Sequence, residues 1–220
     1  MKDSKIVSSE LLDVPYYQQT HYATCGPAAL MMVMKYYDVN VELSKDFEYK
    51  LWRKTRSIAF RGGTLQFGMA YTAKIMDFNA EIYQKKKFSD YHTHWKKTYN
   101  FFENVLSSKV RNARIPIHYG IDIIQVINGA LAKKIPPIIF VNLEPITGEN
   151  VFHWIVLTGI KNNKFYFNDP DMSYFRDVSK KNYQVELDVF KKAIATDSFR
   201  RLSFPFSFLH FPPSVVLVYK

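Results

Sequence analysis

The chain predicts an α+β fold, helical in its first half and built on an antiparallel sheet in its second, on three observations. Gly26-Pro27 opens Ala28-Ala29-Leu30-Met31-Met32-Val33-Met34-Lys35-Tyr36-Tyr37, which is apolar nearly all round and rich in helix formers, the mark of a buried helix. Pro136-Pro137 then divides the texture of the chain. Beyond it, Ile138-Ile139-Phe140-Val141, Trp154-Ile155-Val156-Leu157, Phe165-Tyr166-Phe167 and Val215-Val216-Leu217-Val218 are short β-rich runs separated by turn residues. Helices grouped first and strands grouped after argue against an alternating parallel-sheet protein, and two such halves leave a cleft between them.

Each element follows from local signals. Residues 1–13 form a polar lead, and Val14-Pro15-Tyr16-Tyr17 is extended, because the residue before proline avoids the helical region. Pro27 suits the first turn of the helix that follows. A second helix is expected over 44–55, and a third after Gly62-Gly63-Thr64 to about residue 77. The glycine pair reads as a turn rather than a self-cleavage site. Residues 85–117 are aromatic and basic and show no period that assigns them. Ile121, Ile124, Gln125, Ile127 and Leu131 mark a further helix, with Asp122 near its start and Pro136-Pro137 as its stop. The 220 residues are expected to form one domain, with 85–118 as a basic insertion within it.

Composition excludes several classes. At 47% hydrophobic, 16% aromatic and 23% charged the chain can bury a core and lacks the signature of disorder. Its single cysteine, Cys25, excludes an intramolecular disulfide and any multi-cysteine zinc or iron–sulfur site, and fits a reducing compartment. No signal-peptide core follows the N-terminus, and the longest apolar run, 28–34, falls well short of a membrane span. The expectation is a soluble cytoplasmic protein without a cofactor. Of the formal charge of +10, more than half sits between Lys85 and Arg114, where eight basic residues face only Asp90 and Glu103. With no nucleic-acid motif present, that stretch reads as a solvated face rather than a polyanion site. His92-Thr93-His94 with Asp90 and His118 is the one grouping that resembles a metal site, and no second ligand cluster supports it.

Cys25 precedes the Gly26-Pro27 helix start, where unpaired N–H groups and the helix dipole favour an anion. It is either a nucleophile or a small buried hydrophobe, and its partners decide. A thiolate nucleophile needs an imidazole, and the imidazole an orienting acceptor. Of His21, His92, His94, His118, His153 and His210, His153 opens the most hydrophobic strand of the sheet half. Asp169 follows sixteen residues later in Phe167-Asn168-Asp169-Pro170, where hairpin pairing can bring it beside His153. The plain alternative makes Asn168-Asp169-Pro170 a turn and His153 a capped edge residue.

Gln19, Cys25-Gly26-Pro27-Ala28-Ala29-Leu30, Phe152-His153-Trp154 and Asn168-Asp169-Pro170 together resemble the motifs of the bacteriocin-processing peptidases, papain-like cysteine peptidases that cleave leader peptides after double glycine. Val14-Pro15-Tyr16-Tyr17-Gln18-Gln19-Thr20, Leu51-Trp52-Arg53 and Gly62-Gly63 further resemble a stand-alone branch of that group. The resemblance covers residues 14 to about 80 and 135 to 171. It implies a papain-like fold with the active site in the cleft, Cys25 as nucleophile, His153 as general base and acid, Asp169 orienting His153, and the Gln19 amide donating to the oxyanion. A peptide or protein substrate follows. The usual fusion to transporter and ATP-binding domains is missing, so a leader-peptide substrate does not carry over. Acyl transfer on the same triad, as in transglutaminases or phytochelatin synthase, and a non-catalytic module for an acidic partner are the alternatives.

The hairpin between His153 and Asp169 carries a geometric condition. A two-residue loop, Asn162-Asn163, with an unbulged ladder puts His153 opposite Met172 and turns Asp169 to the other face of the sheet, leaving Asn168 as the candidate orienting residue. A three-residue loop, or a bulge of one residue, brings Asp169 to the face of His153 one diagonal step away. The triad therefore requires one of these, with Asn162 or Asn163 left-handed.

Overall fold

The computed structural model describes residues 6–57, 62–91, 96–171, 180–195 and 211–220. Seven strands form one sheet in the order β2-β1-β7-β3-β4-β5-β6: β1 (Asn79–Gln84), β2 (Ile117–Tyr119), β3 (Ile138–Asn142), β4 (Phe152–Lys161), β5 (Lys164–Asn168), β6 (Tyr183–Glu186) and β7 (Ser214–Tyr219). Neighbours are antiparallel except β1 and β2. All five residues of β3 and the first nine of β4 are buried, as continuous apolar runs covered on both faces require. The sheet also takes β1 and β2 from the first half of the chain. β1 alternates buried Ala80, Ile82 and Gln84 with more exposed residues.

Helix α1 (Cys25–Tyr37) buries every residue from Gly26 to Met34 and packs on β4 and β7. Helix α2 (Lys45–Thr55) is capped by Ser44, whose hydroxyl accepts from the Phe47 N–H. Helix α3 (Gln66–Lys74) stops short of the expected end, because residues 75–77 turn and Asp77 is left-handed at φ 63°. The stretch that showed no period holds a short 3₁₀ helix (Phe88–Tyr91) and helix α4 (Lys96–Asn112). Helix α5 (Ile123–Ala132) is capped by Asp122, which accepts from the Ile124 N–H. Helices α6 (Glu144–Thr147) and α7 (Leu187–Ala195) complete the described elements. No described helix is long and apolar enough to cross a membrane.

The polar lead is part of the fold. The Ser9 and Leu12 N–H groups donate to the carbonyls of Ile160 and Thr158, at 2.7 and 2.8 Å, and the Ile160 N–H donates to the Ser9 hydroxyl. The lead thus runs along the part of β4 that extends past β3, whose pairs end at Val156, without forming a strand of its own. A Cβ at Gly159 would lie 2.7 Å from the Glu10 carbonyl oxygen, so only glycine lets the lead pass this close.

The β4–β5 hairpin joins Lys161 to Lys164 through Asn162-Asn163, both left-handed at φ 51° and 59°, the conformation a two-residue hairpin turn demands. The three-residue loop is therefore not used. The register shifts instead between Leu157 and Gly159, so that Val156 pairs with Asn168 and Leu157 with Phe167. Thr158 is the extra residue of this bulge. Continued one step, the register sets Asp169 opposite Ile155, on the face of His153.

Candidate active site

Cys25 is the first residue of α1 and is partly exposed. The turn before it is wound on one carbonyl. The His21 oxygen accepts from the Gln19 side-chain amide at 2.9 Å, from the Thr24 N–H at 3.1 Å and from the Thr24 hydroxyl at 2.6 Å. The Gln19 amide is thereby attached to the turn that ends at Cys25. Gln19 is buried, its Oε1 has no hydrogen-bond partner, and its backbone N–H donates to the Pro170 carbonyl at 2.8 Å. Gln18 is exposed.

Glu48 of α2 holds the same loop from beneath. Its buried carboxylate accepts from the Tyr17 hydroxyl at 2.9 Å, the Thr20 N–H at 2.9 Å and the Thr20 hydroxyl at 2.6 Å, gripping both sides of Gln18-Gln19. A second clamp joins helix and sheet. The Trp154 indole N–H donates to the Thr64 carbonyl at 2.8 Å, and a Cβ at Gly26 would fall 2.6 Å from the Thr64 Cβ. Thr64 thus sits against the neighbour of Cys25 and bonds the neighbour of His153. Neither Glu48 nor Thr64 stood out in the sequence, because their contacts are long-range and no local pattern marks them.

His153 pairs with Val141 in the sheet and is 4% exposed. Its Nε2 lies 2.8 Å from Asp169 Oδ1, and Cys25 stands close enough to act on the ring by charge and hydrogen bonding. Asp169 Oδ1 accepts in addition from the Asp171 N–H at 2.9 Å. Lys180 donates to the Asp171 carbonyl and carboxylate at 2.8 and 3.0 Å. Asn168, of the other parity, is spent elsewhere: its amide donates to the Val14 carbonyl, and its oxygen accepts from the Asn182 N–H.

The charges reinforce one another. Burial of the His153 ring disfavours the imidazolium, but Asp169 and Cys25 outweigh it and hold its pKa well above the ordinary 6.5. Burial likewise opposes ionisation of Asp169, and His153, the Asp171 N–H and Lys180 reverse this, holding the carboxyl below its usual range. Tyr16 beside it is pushed up to about 12 by burial and then by the charges of Asp169 and Asp171, so it stays a neutral phenol.

The rings of His21 and His118, the other described histidines, have partners of their own. His21 stacks with Tyr22 at 4.2 Å between ring centroids. His118 stacks on Tyr83 at 4.5 Å and lies 3.6 Å from Glu81, and the Asp90 carboxylate accepts from the Lys87 N–H. His92, His94 and His210 lie outside the described residues. Among the described residues no group of three or more His, Cys, Asp and Glu is placed to hold a metal.

Residues 14–208 match the family described as the Peptidase_C39 like family. No curated protein matches the chain. Among solved structures, a Bacillus anthracis protein classed as a C39-like peptidase is similar over 97% of this chain and 98% of its own, at 14% identity and a TM-score of 0.54. That likeness gives the fold, that of the papain-like C39 peptidases. Two others are similar at 18% identity. They are a double glycine motif protease from an AMS/PCAT transporter, solved with its leader peptide (97% and 96% of the two chains, TM-score 0.49), and the peptidase domain of Streptococcus ComA, a bi-functional ABC transporter of a quorum-sensing pathway (92% and 96%, TM-score 0.45).

Proposed function

Because the chain belongs to the Peptidase_C39 like family, we propose that it is a cysteine peptidase or amidohydrolase, with Cys25 as nucleophile and a peptide or protein as substrate. The observation that carries this reading is the imidazole of His153, held at Nε2 by Asp169 at 2.8 Å, with Cys25 close enough to act on the same ring. Cys25 gives its proton to His153, and the thiolate attacks the carbonyl carbon of the scissile bond. The carbonyl oxygen becomes an oxyanion. It is met by the Cys25 N–H, which the first helical turn leaves without a carbonyl partner, and by the second N–H of the Gln19 amide, the first being held by His21. Collapse breaks the C–N bond, the amine leaves with the proton from His153, and an acyl thioester remains. Water, losing a proton to His153, then releases the acid and restores the thiol. Asp169 keeps the imidazole oriented and favours its charged form throughout.

The test uses Cys25 chemistry and turnover together. Iodoacetamide should alkylate Cys25 faster than an unperturbed thiol near neutral pH. Cys25→Ala should abolish both labelling and cleavage of a mixed peptide library read by mass spectrometry, with the melting temperature retained. Turnover persisting in Cys25→Ala would overturn the reading. Repeating the wild-type digest with added amine separates hydrolysis from acyl transfer.

A further inference from the structure

Helix α4 is amphipathic in the reverse sense. Against the body of the protein it buries Glu103, Ser107 and Val110, with the Glu103 carboxylate accepting from the Phe88 N–H at 3.1 Å. Phe101, Phe102 and Val105 are left 66%, 52% and 54% exposed. No other described helix exposes a large apolar side chain within its span.

Residues four apart share a helix face, so Lys97, Phe101, Val105 and Lys109 form one row, with a cation at each end about 18 Å apart. Phe102 stands beside it, its ring 6.2 Å from that of Phe101. Every other exposed side chain of α4 is Lys, Arg, Ser, Thr or Asn. The one acid of the helix, Glu103, is buried.

We propose that this face of α4 docks the protein on a membrane surface carrying anionic phospholipid headgroups. Phe101, Phe102 and Val105 enter the boundary between headgroups and acyl chains, while Lys97 extends along the surface to the phosphates and Lys109, whose Nζ rests 5.6 Å from the centroid of the Tyr71 ring in α3, swings from that ring to join it. Charge complementarity decides the partner. The face is convex, of one charge sign, and flanked by small neutral polar groups. A specific protein partner needs a larger patch with both signs to set its register, whereas a bilayer needs neither. The contact is peripheral, since α4 lies along the surface of the protein and no described helix is long and apolar enough to cross a membrane.

Sedimentation of the full chain with phospholipid vesicles tests this. Binding should be stronger to phosphatidylcholine mixed with phosphatidylglycerol than to phosphatidylcholine alone, and should fall as salt is raised. Lys97→Gln with Lys109→Gln should weaken it by about thirtyfold, and Phe101→Ser with Phe102→Ser by on the order of tenfold or more. Lys133→Gln with Lys134→Gln, an equal loss of charge outside α4, should change nothing. Phe101→Trp should give indole emission that shifts to the blue on anionic vesicles only, a readout that does not depend on the stability of the other variants. Equal binding to both vesicle types would overturn the proposal, as would an equal loss in the Lys133/Lys134 variant or retained affinity in the serine variant. So would capture of poly-glutamate, but not vesicles, by the same residues, which would make the face a site for an acidic protein. Self-association abolished by Phe101→Ser would assign the face to a second copy of the chain.

Discussion

Asp169 decides the charge on His153. Burial alone would leave the ring neutral, so its raised pKa depends on the opposed charges of Asp169 and Cys25. Asp169→Asn removes the larger of these and should bring the imidazole pKa down toward or below 6.5, read by its proton resonances across a pH titration. An unchanged pKa would show that Asp169 does not control it. The linked effect on stability has a definite sign. A His pKa raised by folding stabilises fully below the unfolded value and fades as pH rises through the folded one, and in Asp169→Asn that fading should vanish. Gln19 makes a second prediction at this scale. Burial and the bond to His21 set it apart from exposed Gln18, so Gln19→Ala should slow turnover about 10²- to 10³-fold, the loss typical of one oxyanion donor. Gln18→Ala should leave the rate unchanged, and the reverse result would move the role by one residue.

Among the elements, legibility in the sequence followed the agreement between local pattern and burial. The runs that became β3, β4, β5 and β7 were readable because they are apolar on both faces, and α1 because it is apolar on every side. The four residues proposed for chemistry stood out as candidates for a different reason: a thiol, an imidazole, a carboxylate and an amide stand in separate motifs at the spacings of the family they resemble. Strand β1 was hidden by Gln84, a buried polar residue whose Oε1 accepts from the Gln66 amide at 2.8 Å, and β6 by its four-residue length. Helix α4 was hidden by burying Glu103 and Ser107 while exposing Phe101 and Phe102, which removes the apolar stripe that marks a helix. The bulge was foreseeable only as one of two ways to meet the register condition. Why the chain uses the bulge rather than a longer loop lies in Thr158, whose carbonyl accepts from Leu12 and whose hydroxyl donates to Asn182 at 2.7 Å; a straight ladder has no place for that residue. Gly159 beside it supplies the element-scale prediction. Gly159→Ala drives a Cβ into the Glu10 backbone and should destabilise by about 1–3 kcal/mol in chemical denaturation. Gly129→Ala, inside α5 with nothing within 4 Å of the added carbon, should stabilise by about 0.5–1 kcal/mol. A Gly159→Ala variant as stable as the wild type would contradict the contact.

At the scale of the whole molecule, the lead ties the two ends of β4 and β5 together. Its first part bonds to Thr158 and Ile160 at the turn end of the hairpin. The segment that follows it reaches the site end, where the Val14 carbonyl accepts from Asn168 and the Gln19 N–H donates to the Pro170 carbonyl. Residues 6–19 therefore cover the β4 edge and deliver Gln19 against Pro170, next to Asp169. Removing residues 1–13 deletes the bonds to Thr158 and Ile160, each worth about 1 kcal/mol. It also deletes the buried Leu12 side chain, worth about 1.5–3 kcal/mol. At roughly 2–4 °C per kcal/mol for a chain of this size, the melting temperature should fall by roughly 10 °C. The uncovered β4 edge should make the truncated protein self-associate, as unpaired edge strands do. The site should respond less than the fold, because the bonds of Val14 and Gln19 survive the cut. Below the new melting temperature, Cys25 should therefore keep its rapid alkylation while stability is lost. Equal loss of both would mean that residues 1–13 position the site directly, and an unchanged melting temperature would mean that the lead does not pair with β4 in solution.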